Sequence, residues 1–122
     1  MTVAEVTELH VYPVSGEPGR DLEEAAVDSE GLAGDRRKKA AVHVVAAADV
    51  APDTRANLVV SLTPVELEAA IGGLLVTGGV ELEVTGTARN CPGVYAAVRH
   101  PGVVRVGDEV TAVAPDGAVD AG

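Results

Sequence analysis

One residue of this sequence is suited to nucleophilic chemistry by its type and its surroundings. Cys91 is the only cysteine, and it lies in the segment 89–93, of sequence RNCPG. The proline and glycine predict a turn, and loops at strand ends commonly carry functional side chains. Arg89, two residues before the cysteine, would favour the thiolate, which is the reactive form. The alternative is a small buried core residue, because free cysteine is among the most buried residue types, but such a turn is a poor place for one.

Two further pairs of polar residues are suited to holding an anion. Asp35 and Arg36 end the glycine-bracketed segment 31–36, so a sharp turn there would offer a guanidinium beside a positioning carboxylate. Arg55 and Asn57 are two residues apart at the start of a predicted strand, which would point both side chains to one side. Taken alone, each pair is explained as well or better by a solvated turn or strand end. Together with the cysteine, they form the candidate site.

The charge distribution suggests a local anion site in an acidic protein. The formal net charge is −10, which disfavours contact with a phosphate backbone and predicts no nucleic-acid partner. Nine of the 19 acidic residues fall in residues 1–35, whereas residues 36–48 and 84–107 contain basic residues and no acid. For the basic segment 36–39, a solvated loop is an equally good explanation. Two acid-free basic windows are nevertheless what an anionic ligand would require.

Several other chemistries lack the residues that they need. With one cysteine and three scattered histidines, the sequence predicts neither an internal disulfide nor a zinc site. It contains no phosphate-binding or dinucleotide-binding glycine loop. His43 lies within an apolar run and is interpreted as a hydrogen-bonded core histidine. The N-terminal residues do not resemble a signal peptide and no apolar run could span a bilayer, so we expect a cytoplasmic protein without a membrane partner.

The elements that must position these residues are mostly short strands. The length suits a single domain, residues 1–122, with a frayed tail at 113–122. Aromatic residues make up only 2%, so the core must be built from Val, Leu, Ile and Ala. Strands are predicted at residues 3–14, 39–48, 57–62 and 80–85, with one or two more at 103–113. Several short strands with glycine turns indicate a small barrel or a curled sheet.

The clearest helix is predicted to begin after Thr63. Thr63 and Glu66 match a capping box, and the proline that follows Thr63 suits the first helical position. Apolar residues from Leu67 to Leu74 repeat at a spacing of three to four, which predicts one apolar stripe. The glycine pair at 72–73 is predicted to end the helix or its last turn.

In their order along the chain, several segments resemble the MOSC domain, the C-terminal domain type of molybdenum-cofactor sulfurases. The resembling segments are residues 11–14, 31–36, 54–58, 72–83, Cys91 and 103–108. They extend over most of the chain, from about residue 3 to about residue 113. The most specific set is the Gly-Leu-x-Gly-Asp-Arg turn, the following Arg-x-Asn and the single cysteine further on. The chain resembles a small stand-alone member of this family.

The resemblance implies both a fold and a function. The fold is a mainly β, closed MOSC-type barrel, similar to the β-barrel of pyruvate kinase, with a few short helices. The implied function is that of a sulfur carrier, in which Cys91 holds sulfane sulfur as a persulfide for a metal–sulfur or molybdenum-cofactor acceptor. A cysteine desulfurase, which is a pyridoxal-phosphate enzyme, or another sulfur donor would be the partner. The family's pocket for an anionic pterin-type cofactor is carried over onto the residues Asp35, Arg36, Arg55, Asn57 and Arg89.

Two alternatives stay open. The first is a molybdenum-cofactor-binding subunit of a reductase for N-hydroxylated compounds, in which Cys91 ligates molybdenum while Arg36 and Arg55 hold the pterin phosphate. The second is a non-catalytic ligand-binding module, which predicts a buried and unreactive Cys91. Since the sequence holds no pyridoxal-phosphate or ferredoxin domain, either chemistry would need a partner. Whether the protein is itself an enzyme stays open as well.

Overall fold

The computed structural model describes residues 3–14, 16–36, 40–88 and 91–115. Within these residues the chain forms eleven strands, one α-helix and one short 3₁₀-helix. In chain order they are β1 (Val3–Val11), β2 (Arg20–Leu22), β3 (Glu24–Asp28), β4 (Gly31–Leu32), β5 (Val42–Ala46), the 3₁₀-helix (Ala47–Asp49), β6 (Leu58–Val60), α1 (Pro64–Ala69), β7 (Leu74–Thr77), β8 (Val80–Thr87), β9 (Val94–His100), β10 (Gly102–Arg105) and β11 (Glu109–Val113).

Seven of the described strands form a closed barrel, in the order β1-β11-β7-β8-β9-β5-β6 and back to β1. The first strand closes it, because Ala4 pairs with Val110 of β11 and Val6 pairs with Val60 of β6. The neighbours in the ring are antiparallel except for the parallel pair β5–β6. Closure leaves no unpaired edge in the ring. The prediction of a mainly β, closed barrel is therefore confirmed.

Three shorter strands make a second sheet, in the order β10-β3-β4. The sequence left the segment 22–28 open between a strand and an irregular stretch, and the structure shows that it contains β3. β2 adds to the last residues of β1, where Leu9 pairs with Leu22. This second layer brings the turn after β4, which carries Asp35 and Arg36, beside the end of β1: the Arg36 amide donates to the carbonyl of Tyr12.

The barrel interior is aliphatic, as the composition predicts. β8 alternates as expected, with Val80, Leu82 and Val84 buried and Glu83 exposed between them. β5 differs, because all five of its residues are buried and Val45 joins a separate small cluster outside the main core. A strand buried on both faces has closely packed side chains on either side, which leave it little room to shift. It is therefore a firm support for any side chain that it carries.

The helix begins as predicted and ends earlier. The Thr63 hydroxyl accepts from the Glu66 amide at 3.1 Å, and the Glu66 carboxylate accepts from the Thr63 amide at 2.9 Å, which completes the capping box. α1 ends at Ala69, however, and Leu74 begins β7, so the predicted stripe through Leu74 was wrong. The glycine pair explains the change, since Gly72 adopts φ +89°, which no helix continues through, and at Gly73 a side chain would overlap the carbonyl of Val113 in β11.

Two strands of the ring, β7 and β9, were not predicted. β9 contains two adjacent alanines and ends in exposed polar residues, so it lacks a clear alternation. Of the tail predicted to be frayed, residues 116–122 lie outside the described residues, while Val113 ends β11. Neither helix in the described part of the chain has the length and apolar character needed to cross a membrane.

Candidate functional site

A groove of about 910 Å³, here called the thiol groove, lies where β1 and β8 end. Cys91, Arg36 and Arg55 all line it, so the structure brings together three of the predicted site residues from distant parts of the chain. His43 and Tyr95 line it as well. None of the described residues that line it is acidic, although the chain carries a net charge of −10. The thiol groove is therefore a locally basic site in an acidic protein.

The turn formed by residues 91–93, here called the Cys91 turn, exposes the thiol to solvent. The alternative of a buried core cysteine was therefore wrong. Gly93 adopts φ +99°, and a side chain there would overlap the carbonyl of Val44 in β5. The Gly93 carbonyl in turn accepts from the Ala88 amide at 3.0 Å. The Cys91 turn therefore packs against β5 and is hydrogen-bonded to the end of β8, and these two contacts fix the backbone that carries Cys91.

His43, on β5, is the second anchor of the Cys91 turn. Its ring Nε2 lies 2.8 Å from the carbonyl oxygen of Pro92, and because a carbonyl only accepts, Nε2 is the protonated nitrogen. The ring also meets Tyr95 edge-on, with centroids 5.4 Å apart at 73°. His43 is only 8% exposed, as expected for a core histidine, but it also forms part of the groove. A buried ring in a strand requires a hydrogen-bond partner, yet this partner is 49 residues away and no local pattern indicates it.

Arg55 is held at the edge of the thiol groove by the ring of Tyr12. Its guanidinium carbon lies 4.3 Å from the ring centroid, and its Nη1 donates to the carbonyl of Glu17 at 3.0 Å. The Tyr12 hydroxyl donates to the carbonyl of Ala56 at 3.3 Å, and a side chain at Gly19 would overlap the ring. Burial raises the pKa of Tyr12 above 10.0, and the nearby Arg55 opposes part of that rise. A cation packed in this way is pre-oriented for an anion.

Asn57 and Asp35 lie behind the thiol groove, and neither is among the described residues that line it. Asn57 is fully buried; its Oδ1 accepts from the His43 amide at 3.0 Å, and its Nδ2 donates to Asp35 at 3.1 Å and to the His10 carbonyl at 3.2 Å. The other carboxylate oxygen of Asp35 accepts from the Tyr12 amide at 2.8 Å. These two predicted site residues therefore hold other parts of the site in position.

The expectation that Arg55 and Asn57 point to one side was wrong. The structure begins β6 at Leu58, so the two-residue alternation of a strand does not apply to the segment before it. Arg55 is exposed on the groove while Asn57 is buried. Arg89, the remaining predicted site residue, lies outside the described residues, and so do residues 37–39.

A smaller groove of about 460 Å³ shares Tyr12 and Arg55 with the thiol groove. Its lining is acidic and includes Glu8 and Asp21, whose carboxylates lie 2.7 and 2.8 Å from the two ring nitrogens of His10. The Arg55–Tyr12 stack therefore borders a basic groove and an acidic one. An anionic ligand would be directed into the thiol groove by this contrast.

An anionic cofactor of the molybdopterin type would meet one thiol and two guanidinium groups in the thiol groove. Cys91 offers a soft thiolate ligand, and Arg36 and Arg55 offer guanidinium groups for a phosphate. When bound, such a group would supply a redox-active metal. Within the described residues no cluster of three or more His, Cys, Asp or Glu could hold a metal ion by itself. Ligation of molybdenum by Cys91 stays a prediction.

The fold and the groove define the chain as a small closed β-barrel protein with a presented thiol. No family model matches the chain, and no curated protein is similar to it in sequence. Among solved structures it is similar to the YuaD protein from Bacillus subtilis, with a TM-score of 0.76 and 15% identity over 89% of this chain and 94% of that one. A structure described as a hypothetical protein gives a TM-score of 0.72 at 15% identity, over 89% of this chain and 67% of the other. At these identities the likeness shows the barrel fold alone.

Proposed function

We propose that this protein is a sulfur carrier that holds sulfane sulfur as a persulfide on Cys91. The observation that carries the proposal is the exposed thiol in a groove that contains Arg36 and Arg55 and no acidic residue among those described. Guanidinium groups attract anions, and the persulfide that the transfer forms is negatively charged once it has lost its proton. The resemblance of the sequence to MOSC domains supports the same chemistry.

The sulfur transfer is a displacement at the outer sulfur of a donor persulfide, R–S–SH. The Cys91 thiolate attacks that sulfur and forms a new S–S bond, while the donor's S–S bond breaks and R–S⁻ leaves with the electron pair. The product, Cys91–S–SH, loses its proton to water and becomes an anion within the basic groove. An acceptor nucleophile then attacks the outer sulfur, and Cys91 leaves as the thiolate. No electrons are gained or lost overall.

A cysteine desulfurase or another sulfur donor would be the partner, because a cysteine persulfide presents a transferable outer sulfur. The acceptor would be a metal–sulfur centre or the molybdenum cofactor. The exposure of the Cys91 thiol suits access by a protein-bound donor. Arg36 and Arg55 would attract the anionic acceptor and hold it near the thiol.

The test compares the wild-type protein with Cys91→Ser. Both are incubated with a desulfurase and ³⁵S-labelled cysteine, and the bound label and the intact mass are measured before and after dithiothreitol. We expect the wild type to gain the label and the mass of a sulfur atom, both removed by dithiothreitol, and Cys91→Ser to gain neither. Equal labelling of the two proteins, or no labelling of the wild type by a desulfurase shown to load another carrier, would refute the proposal.

The second candidate function is a cofactor-binding subunit of a molybdenum-dependent reductase for N-hydroxylated compounds. The combination of one thiol with two guanidinium groups in the thiol groove favours it, since thiolate suits molybdenum and guanidinium suits phosphate. Metal analysis of protein produced in a host that makes the molybdenum cofactor distinguishes the two functions. Molybdenum bound in the wild type and lost in Cys91→Ser supports the reductase subunit; protein free of molybdenum excludes it.

A further inference from the structure

The Cys91 turn depends on a contact that lies outside its own backbone. Pro92 has no N–H to donate, so its part of the turn is fixed by what its carbonyl accepts. That carbonyl accepts from Nε2 of His43 at 2.8 Å. The ring is buried and packed edge-on against Tyr95, which restricts its rotation. One side chain of β5 therefore supplies the hydrogen bond that holds the residue next to Cys91.

The same histidine is connected to the other side of the thiol groove. Its backbone amide donates to Oδ1 of Asn57 at 3.0 Å, and Nδ2 of Asn57 donates to the Asp35 carboxylate at 3.1 Å. Asp35 is followed directly by Arg36, and both the Asp35 carboxylate and the Arg36 amide bond to the backbone of Tyr12. A continuous series of hydrogen bonds thus runs from the turn that carries the guanidinium to the turn that carries the thiol.

We propose that His43 is a positioning residue that keeps the Cys91 thiol in the thiol groove, which Arg36 and Arg55 also line. The inference rests on the proposed role of Cys91, since positioning matters only if the thiol reacts there. His43 acts through the Pro92 carbonyl and touches no substrate in this proposal. Loss of its ring donor releases the Cys91 turn from β5 at Pro92, and the thiol then samples positions away from Arg36 and Arg55.

The test uses two pairs of variants matched for the ring donor. His43→Gln keeps an amide donor near the position of Nε2, whereas His43→Leu keeps the bulk and removes the donor. The second pair compares His43→Gln with His43→Asn, whose amide is too short to reach the Pro92 carbonyl. This pair is used if His43→Leu does not fold. Folding is checked by circular dichroism. Cys91 is the only thiol, so every alkylation event reports on it.

The measurement is the alkylation rate with anionic iodoacetate divided by the rate with uncharged iodoacetamide, normalised to the same quotient for a small thiol. We expect a wild-type quotient of about five, because two unit charges about 4 Å apart in bulk water attract by about 1 kcal/mol, which is about fivefold. It should fall to about one in His43→Leu and His43→Asn and stay above half the wild-type value in His43→Gln. A quotient unchanged in both donor-free variants would show that the role of His43 is merely structural, and would overturn the inference.

The inference and the proposed function can fail separately. If the quotient falls as expected but the wild type never accepts sulfur, the positioning role stands and the sulfur-carrier proposal falls. If the wild type and His43→Leu accept sulfur at equal rates and have equal quotients, the sulfur-carrier proposal stands and the positioning role falls.

Discussion

Replacing Asn57 by Ala should weaken the barrel by about 4 kcal/mol. The side chain is fully buried and makes at least three hydrogen bonds, to the His43 amide, the His10 carbonyl and the Asp35 carboxylate. The two bonds to neutral backbone groups are worth about 1 kcal/mol each, and the bond to the carboxylate about 2 kcal/mol. A domain of this size has a total stability of only about 5–15 kcal/mol. One amide therefore provides a large share of it.

Urea unfolding at pH 7, followed by far-ultraviolet circular dichroism, measures this loss. With a slope of about 2 kcal/mol per M, the midpoint of Asn57→Ala should lie about 2 M below that of the wild type. Thr87→Ala, at an exposed position on the thiol groove, is the control and should change the stability by less than about 0.5 kcal/mol. A midpoint for Asn57→Ala within about 0.5 M of the wild type would show that these hydrogen bonds are replaced by others or by water, and would refute the reasoning.

Two further predictions concern a glycine and a tyrosine of the site. Gly93 and Gly107 have similar positive φ angles, +99° and +95°. A side chain would overlap the Val44 carbonyl at Gly93, whereas at Gly107 it would meet nothing within 4 Å. Gly107→Ala should therefore cost about 1–2 kcal/mol and Gly93→Ala far more; equal melting temperatures would contradict this. Because burial raises the pKa of Tyr12, the folded protein holds the phenol proton more tightly than the unfolded chain. The stabilisation from this proton is present below pH 10.0 and is lost as the pH rises through the pKa of Tyr12 in the folded protein. Urea midpoints should therefore decline more steeply above pH 10.0 in the wild type than in Tyr12→Phe. Parallel declines in the two proteins would contradict this prediction.

Signals confined to a few neighbouring residues predicted part of the structure well. The capping box at Thr63 and the alternation from Val80 to Val84 depend on contacts within one element, and both are present. The turn at Cys91 was also predicted, from the proline and glycine that follow it. β7 was missed because the apolar spacing before it continues across the glycine pair, so Leu74 fits a helix as well as a strand.

The internal support of the site could not be predicted in the same way. His43 and Pro92 are 49 residues apart, and Asn57 and Asp35 are 22 residues apart, so their bonds exist only once the barrel has closed. The acid-free basic segments and the family resemblance together predicted that Arg36, Arg55 and Cys91 belong to one site. Neither signal distinguishes a side chain that lines the thiol groove from one that is buried behind it and supports the lining residues, as Asn57 does.

The placement of the two tyrosines has a practical consequence. The sequence contains no tryptophan and no phenylalanine, and both of its tyrosines, Tyr12 and Tyr95, line the thiol groove. The intrinsic ultraviolet emission of the native protein therefore originates entirely at this surface. A titration with candidate anions can be read directly from unlabelled protein: quenching of Tyr95 reports on the thiol groove, and quenching of Tyr12 reports on either of the two grooves that share it.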